Sequence, residues 1–208
     1  SAFADHDPLD AVVHLAGIPD ETSLPAELTS HVHTTAALLD AMLEQGIRRI
    51  IYASSNHAVG RTPRADVVGV DVPPRPDTFY GVAKVAAEAL LRLYVDRFGV
   101  DAVALRIGSF QTQPETVRQL STWLSHDDAV RLVEAGLTAP DPGFAVVYGI
   151  SANTRAWWDL EPGRSLGYEP QDDAEAFADS VAAGAEDELE AAYVGGPFVA
   201  ERFHRPAL

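Results

Sequence analysis

The chain has no cysteine in its 208 residues, which excludes disulfides and thiolate metal sites and removes one argument for export. Positive charge is nearly as scarce. A single lysine and fourteen arginines face 31 acidic residues, for a formal net charge of −16. A surface that acidic repels nucleic acid and anionic membranes, and no basic cluster interrupts it. Hydrophobic residues make up 47% of the chain, yet no apolar run approaches the length of a membrane span. The opening, SAFADHDPLD, has neither the basic region nor the apolar core of a signal peptide. A soluble globular protein with a cytoplasmic location is the default expectation.

What is present is a set of four β-rich runs: 10–17 (DAVVHLAG), 48–55 (RRIIYASS), 101–109 (DAVALRIGS) and 144–151 (FAVVYGIS). Each is apolar at consecutive positions, as in parallel strands buried on both faces. Each ends in small or polar residues, and ligands in open α/β sheets bind at the carboxyl ends of strands. Helical segments are expected over 26–45, closed by Gly46, and over 79–98, closed by Gly99. In the second, Val82, Val85, Ala86, Ala89, Leu90 and Leu93 are expected to form the apolar face. A third, 125–137, opens on a serine N-cap with two acids in its first turn. A last helix is expected over 173–185. This alternation predicts an α/β fold with a doubly wound parallel sheet.

A further absence concerns glycine. A dinucleotide fold normally opens on a strand, a Gly-rich turn and a helix, and no G-x-G-x-x-G or G-x-x-G-x-x-G occurs in this chain. The chain therefore reads as one Rossmann-type domain, 1–208, lacking its N-terminal third, with a small substrate-side portion from about 110 to 208. The expectation is that the gene product carries the missing strands and Gly-rich loop upstream. Without them, the strand at 10–17 becomes an apolar sheet edge.

The only lysine lies in YGVAK (80–84), four residues after Tyr80. Residues four apart share a helix face. A free tyrosine has a pKa near 10, and a neighbouring ammonium is expected to lower it and make the phenol a usable base. The stretch ASSNHAVG (53–60) follows a strand and places Ser54, Ser55, Asn56 and His57 at its carboxyl end, where a serine hydroxyl can bond a reacting oxygen. No metal-binding spacing is evident: His126, Asp127 and Asp128 are adjacent on a helix and diverge, and His31 and His33 share no helix face.

These features resemble the extended short-chain dehydrogenase/reductase superfamily, the NAD-dependent epimerase/dehydratases. The resemblance rests on HLAG (14–17), SSNHAVG, YGVAK and RIGS (106–109). It implies an NAD(P)-binding Rossmann fold with Tyr80 as base, Lys84 as its partner and ribose ligand, and Ser55 as the residue orienting substrate. It also implies dinucleotide contacts at Leu15, Ala16, Gly17, Lys84 and Ile107. A narrower similarity, to uronate dehydrogenases, adds SSNH (54–57), STWLSHDD (121–128), VVYGISAN (146–153), WWD (157–159) and LGYEPQDDAEAF (166–177). Those enzymes oxidise C1 of galacturonate or glucuronate to an aldarolactone with NAD. The similarity implies that Asn56, His57 and Ser109 line the sugar pocket and that Arg118 meets the carboxylate, for which a guanidinium is well shaped. Self-association through the helices at 26–45 and 79–98 is implied by the same analogy.

The chain departs from that pattern at Pro19, where a substrate-contacting serine is usual, and at His31, where an asparagine is usual. Proline brings neither hydroxyl nor N–H. Two other readings stay open from sequence: a nucleotide-sugar epimerase or dehydratase, and a non-catalytic truncated relative. Trp157 and Trp158 are expected to pack rather than stack on sugar.

Overall fold

The computed structural model describes residues 9–181 and 188–207. Four parallel strands form the sheet: β1 (Ala11–His14), β2 (Arg49–Ser55), β3 (Asp101–Ile107) and β6 (Phe144–Gly149), in the order β1-β2-β3-β6. Between the first two runs α1 (Leu24–Glu27), a π-helical turn (Leu28–His33) and α2 (Thr34–Gln45). A 3-10 turn (Asn56–Val59) follows β2, and α3 (Phe79–Phe98) leads into β3. The short strands β4 (Ser109–Phe110) and β5 (Trp123–Leu124) pair beside the sheet, with α4 (Gln119–Thr122) between them. Then come α5 (His126–Thr138), β6, α6 (Glu161–Ser165), a 3-10 turn (Ala174–Phe177) and α7 (Glu188–Ala191).

Alternation along β2 and β3 divides the core. Ile50, Tyr52, Ala102 and Ala104 pack under Leu39 and Met42 of α2 and Ala87 and Leu91 of α3. Ile51, Val103 and Leu105 face the other way, onto Leu132 and Ala135 of α5 and the Trp157–Trp158 pair. Successive strand residues point to opposite faces, so helices cover both sides and the sheet is doubly wound, a Rossmann-like fold. Trp157 and Trp158 are buried, with Trp158 stacked on Tyr148 at 5.0 Å, a packing role as expected. β1 forms one edge of the sheet and β6 the other; Val13 of β1 and Leu15 just after it are exposed. Among the described residues no helix is long and apolar enough to cross a membrane.

The boundaries of α3 match the sequence reading because its caps are strong. Thr78 accepts a hydrogen bond from Gly81 N at 2.9 Å, and Gly99 closes the helix at φ 65°. Its buried face does not match. Gly81, Ala83, Lys84, Ala87, Glu88, Leu91 and Tyr94 face inward, while Val82 and Leu93 are exposed. Apolar periodicity misread the helix because two of the inward positions carry charge. The helix expected over 173–185 is also corrected: a 3-10 turn covers Ala174–Phe177, turns follow, and 182–187 lie outside the described residues. Asp173 caps that turn, its carboxylate accepting from Glu175 N and from Thr154 N and Oγ1.

Candidate active site

A cleft of about 810 Å³ opens at the carboxyl ends of β1, β2 and β3. Tyr80, Lys84, Ser55, Asn56, His57 and Ser109 line it, as do Leu15, Gly17 and Ile107. Ala16 and Arg118 do not line it. The sheet supplies Ser55 at the end of β2 and Ile107 at the end of β3; α3 supplies Tyr80 and Lys84 from adjacent turns. Gly81 makes this approach possible, since a Cβ there would lie 2.3 Å from the His57 carbonyl oxygen.

Lys84 is 4% exposed and donates to the Ala53 carbonyl at 2.6 Å. Its Nζ lies 5.1 Å from the centre of the Tyr80 ring and 4.9 Å from that of Tyr52. The expectation that lysine brings the tyrosine's pKa down is corrected. Burial pushes the Tyr80 phenol up to about 12, while its hydrogen bond with Ser55 pulls down and the Glu27 carboxylate pushes up. Burial also drives Lys84 down to about 8, against the raising pull of Glu27 and Glu88. Desolvation thus dominates both partners.

The lysine shift has a measurable consequence. Between the folded value near 8 and the unfolded value near 10.5, the unfolded chain holds a proton that the folded chain has lost, so stability rises with pH. From pH 7.5 to 9.5 the wild type is expected to gain about 1–2 kcal/mol in urea unfolding relative to Lys84→Met. A parallel pair of curves would contradict the buried ammonium.

Several residues that the motifs did not reveal hold the site together. Glu21 accepts from Phe79 N and Tyr80 N, both at 2.9 Å, and so anchors the loop after β1 to the start of α3. Glu27 and His31 are buried one turn apart around the π-helical turn, the kind of helix irregularity that recurs at functional sites. Thr22 donates to Glu27 from both its amide, at 2.8 Å, and its hydroxyl, at 2.6 Å. His31 lies edge-on to Tyr80 at 5.2 Å, its Nε2 2.9 Å from the Ile18 carbonyl, and burial takes it down to about 4. It is therefore neutral, with Nε2–H donated to that carbonyl. Beneath the cleft Glu88 pairs with Arg106 through bonds of 3.0 and 2.8 Å, and Ser54 donates to Glu88 at 2.6 Å. Glu88 continues the four-residue series Tyr80, Lys84, which is the one signal that could have exposed it.

On the far side, Ser109 bonds Thr122 Oγ1 at 2.9 Å, and Arg118 Nη1 lies 3.5 Å from the same oxygen. Arg118 Nη2 donates to the Val194 carbonyl at 2.6 Å, and Asn56 Nδ2 approaches that carbonyl at 3.4 Å. The C-terminal segment therefore closes this end, bringing Phe198 into the cleft wall. His57 Nδ1 meets the Asp77 carboxylate.

The residues present suit the nicotinamide–ribose half of a dinucleotide. A buried ammonium and a phenol stand on the floor of a cleft whose walls include Leu15, Ile107 and Leu132, and a bound ribose would give the ammonium further acceptors. Among the described residues no arginine lines this cleft, and Arg118 reaches its rim only through Thr122, which bonds the lining residue Ser109.

Residues 1–143 match the NAD dependent epimerase/dehydratase family. The chain belongs to that family. It is 38% identical to the uronate dehydrogenase of Pseudomonas putida over 91% of its own length and 72% of that protein's. With the uronate dehydrogenase of Agrobacterium fabrum the identity is 45%, over 81% of this chain and 63% of that one. A mutant of the uronate dehydrogenase of Agrobacterium tumefaciens, solved with NAD, superposes on this family member with a TM-score of 0.87. The identity there is 39%, covering 96% of this chain and 75% of that one.

Proposed function

We propose that the protein is an NAD-dependent dehydrogenase that oxidises a hexuronic acid, galacturonate or glucuronate, at C1 to an aldarolactone. The observation that carries this reading is the convergence of Tyr80, Lys84 and Ser55 on one cleft at the mouth of the sheet, in a chain similar to uronate dehydrogenases along most of its length. Leu15, Gly17, Lys84 and Ile107 would hold the nicotinamide end of the dinucleotide. When bound, the oxidised dinucleotide supplies the hydride acceptor and a positive charge that favours a nearby phenolate.

The chain's own residues divide the remaining work. Ser55 donates to the C1 oxygen and fixes it beside Tyr80. Tyr80 takes the hydroxyl proton from that oxygen as the C1 hydrogen departs. Lys84, with a pKa brought down to about 8, can hold or release a proton near working pH behind the phenol. Asn56 and Ser109 contact the sugar ring. Arg118, linked to the cleft rim through Thr122, is the proposed partner of the carboxylate, whose planar pair of oxygens suits a guanidinium.

The test is NADH formation with galacturonate, glucuronate and the neutral parent sugars galactose and glucose. The uronates are expected to exceed their neutral parents in kcat/KM by about tenfold or more, the value of one charge-assisted hydrogen bond. Equal turnover of neutral and acidic sugars would remove the carboxylate from the reading. No turnover of any of them would remove the reading itself.

A further inference from the structure

The His57 ring lies in the cleft wall, 5.9 Å from the Tyr80 ring and 4.6 Å from that of Phe198. Behind it the Asp77 side chain is fully buried and takes Nδ1 between its two oxygens, at 3.0 and 2.9 Å. The carboxylate is itself fixed. Thr78 donates to Oδ1 at 3.2 Å, and two glycines crowd the other oxygen. A Cβ on Gly60 would lie 2.0 Å from Oδ2, and one on Gly195 would lie 1.8 Å from it. Those glycines are joined by a bond from Gly195 N to Gly60 O of 2.8 Å. The carboxylate cannot swing aside without breaking this packing.

A carboxylate only accepts hydrogen bonds, so Nδ1 must carry the proton it offers to Asp77. In the neutral ring the other nitrogen is then a bare lone pair. We propose that Asp77 is a positioning residue that acts through His57: it fixes Nε2 as an acceptor in the cleft wall, and this point therefore recognises a hydroxyl of the sugar. A substrate carboxylate, itself an acceptor, finds no donor there in that tautomer, so His57 does not compete for the group proposed for Arg118. This inference rests on the sugar-oxidising reading above.

The test uses Asp77→Asn, which keeps the shape but can present either an oxygen or an NH2 to Nδ1, so the proton is free to move to Nε2. The KM for the uronate is expected to rise about 3- to 10-fold, the value of one neutral hydrogen bond lost to the sugar, with the KM for NAD unchanged. In a His57→Gln background the same Asp77→Asn change is expected to alter the sugar KM less than about twofold, because the residue through which Asp77 acts is gone. The glutamine amide can still donate to Asp77, which keeps that single variant foldable. An undiminished effect of Asp77→Asn in the glutamine background would overturn the proposal. A second readout is independent of turnover. Imidazole nitrogen NMR, with the His57 signal assigned by its loss in the glutamine variant, is expected to show Nδ1–H in the wild type and a gain of Nε2–H in Asp77→Asn. A wild-type ring protonated on Nε2 alone would overturn the proposal even in a protein that oxidises uronates. A ring protonated on Nδ1 in a protein that oxidises none would leave Asp77 in its role and remove only the substrate.

Discussion

Replacing Tyr80 by phenylalanine is expected to lower kcat by about 10²- to 10⁴-fold, the usual contribution of a general base, while NAD binding measured by fluorescence titration is retained. The ring stays in place between His31 and His57, whose edge-on contacts at 5.2 and 5.9 Å involve the ring rather than the hydroxyl, so the cleft keeps its shape. The same substitution removes the group whose pKa burial has pushed up to about 12. The alkaline side of the rate profile is therefore informative. A wild-type rate that climbs with pH, and a residual phenylalanine rate that does not, would identify the phenol as the titrating base. A phenylalanine variant with more than a tenth of wild-type kcat would remove Tyr80 from the chemistry.

The second large effect is on stability. Glu88 and Arg106 are 6% and 4% exposed and joined by two hydrogen bonds. Arg106 also donates to the Val70 carbonyl at 3.0 Å. Taking two charges out of water is costly, and the pair repays that cost only while both members are present. Glu88→Leu is expected to cost about 3–5 kcal/mol in urea unfolding, because the guanidinium then stays buried without its carboxylate. The double change Glu88→Leu with Arg106→Met is expected to recover most of that loss. Stability equal to wild type in the single variant would mean that the pair is dispensable. Glu88 also accepts from Ser54 beside the cleft and helps keep Lys84 protonated. Even the stable double variant is therefore expected to be catalytically impaired.

How legible all this was in the sequence depended on whether the decisive contacts were local. The four strands showed as consecutive apolar runs because helices cover both faces of the sheet. The ends of α3 showed because Thr78 and Gly99 are caps that act within a turn. Its inward face did not, because Lys84 and Glu88 occupy positions that periodicity reserves for apolar side chains. Tyr80, Lys84 and Ser55 were visible from spacing and strand-end position, and the structure brings them to one cleft. The direction of the tyrosine's pKa shift was not visible, since it depends on how much water the fold excludes rather than on which neighbour stands one turn away. Asp77, Glu21 and Phe198 gave no local signal at all. Glu21 and Phe198 reach the site from distant parts of the chain, and Asp77, though three residues before Tyr80, serves His57 on another element; each touches a residue that the motifs did mark.

The contact between Gly60 and Gly195 has a temporal meaning as well. Gly195 follows Gly60 by more than half the length of this chain, so the pocket around His57 cannot be completed until that long intervening stretch has been synthesised. A nascent chain stalled before that point would carry a formed sheet and an unfinished binding site.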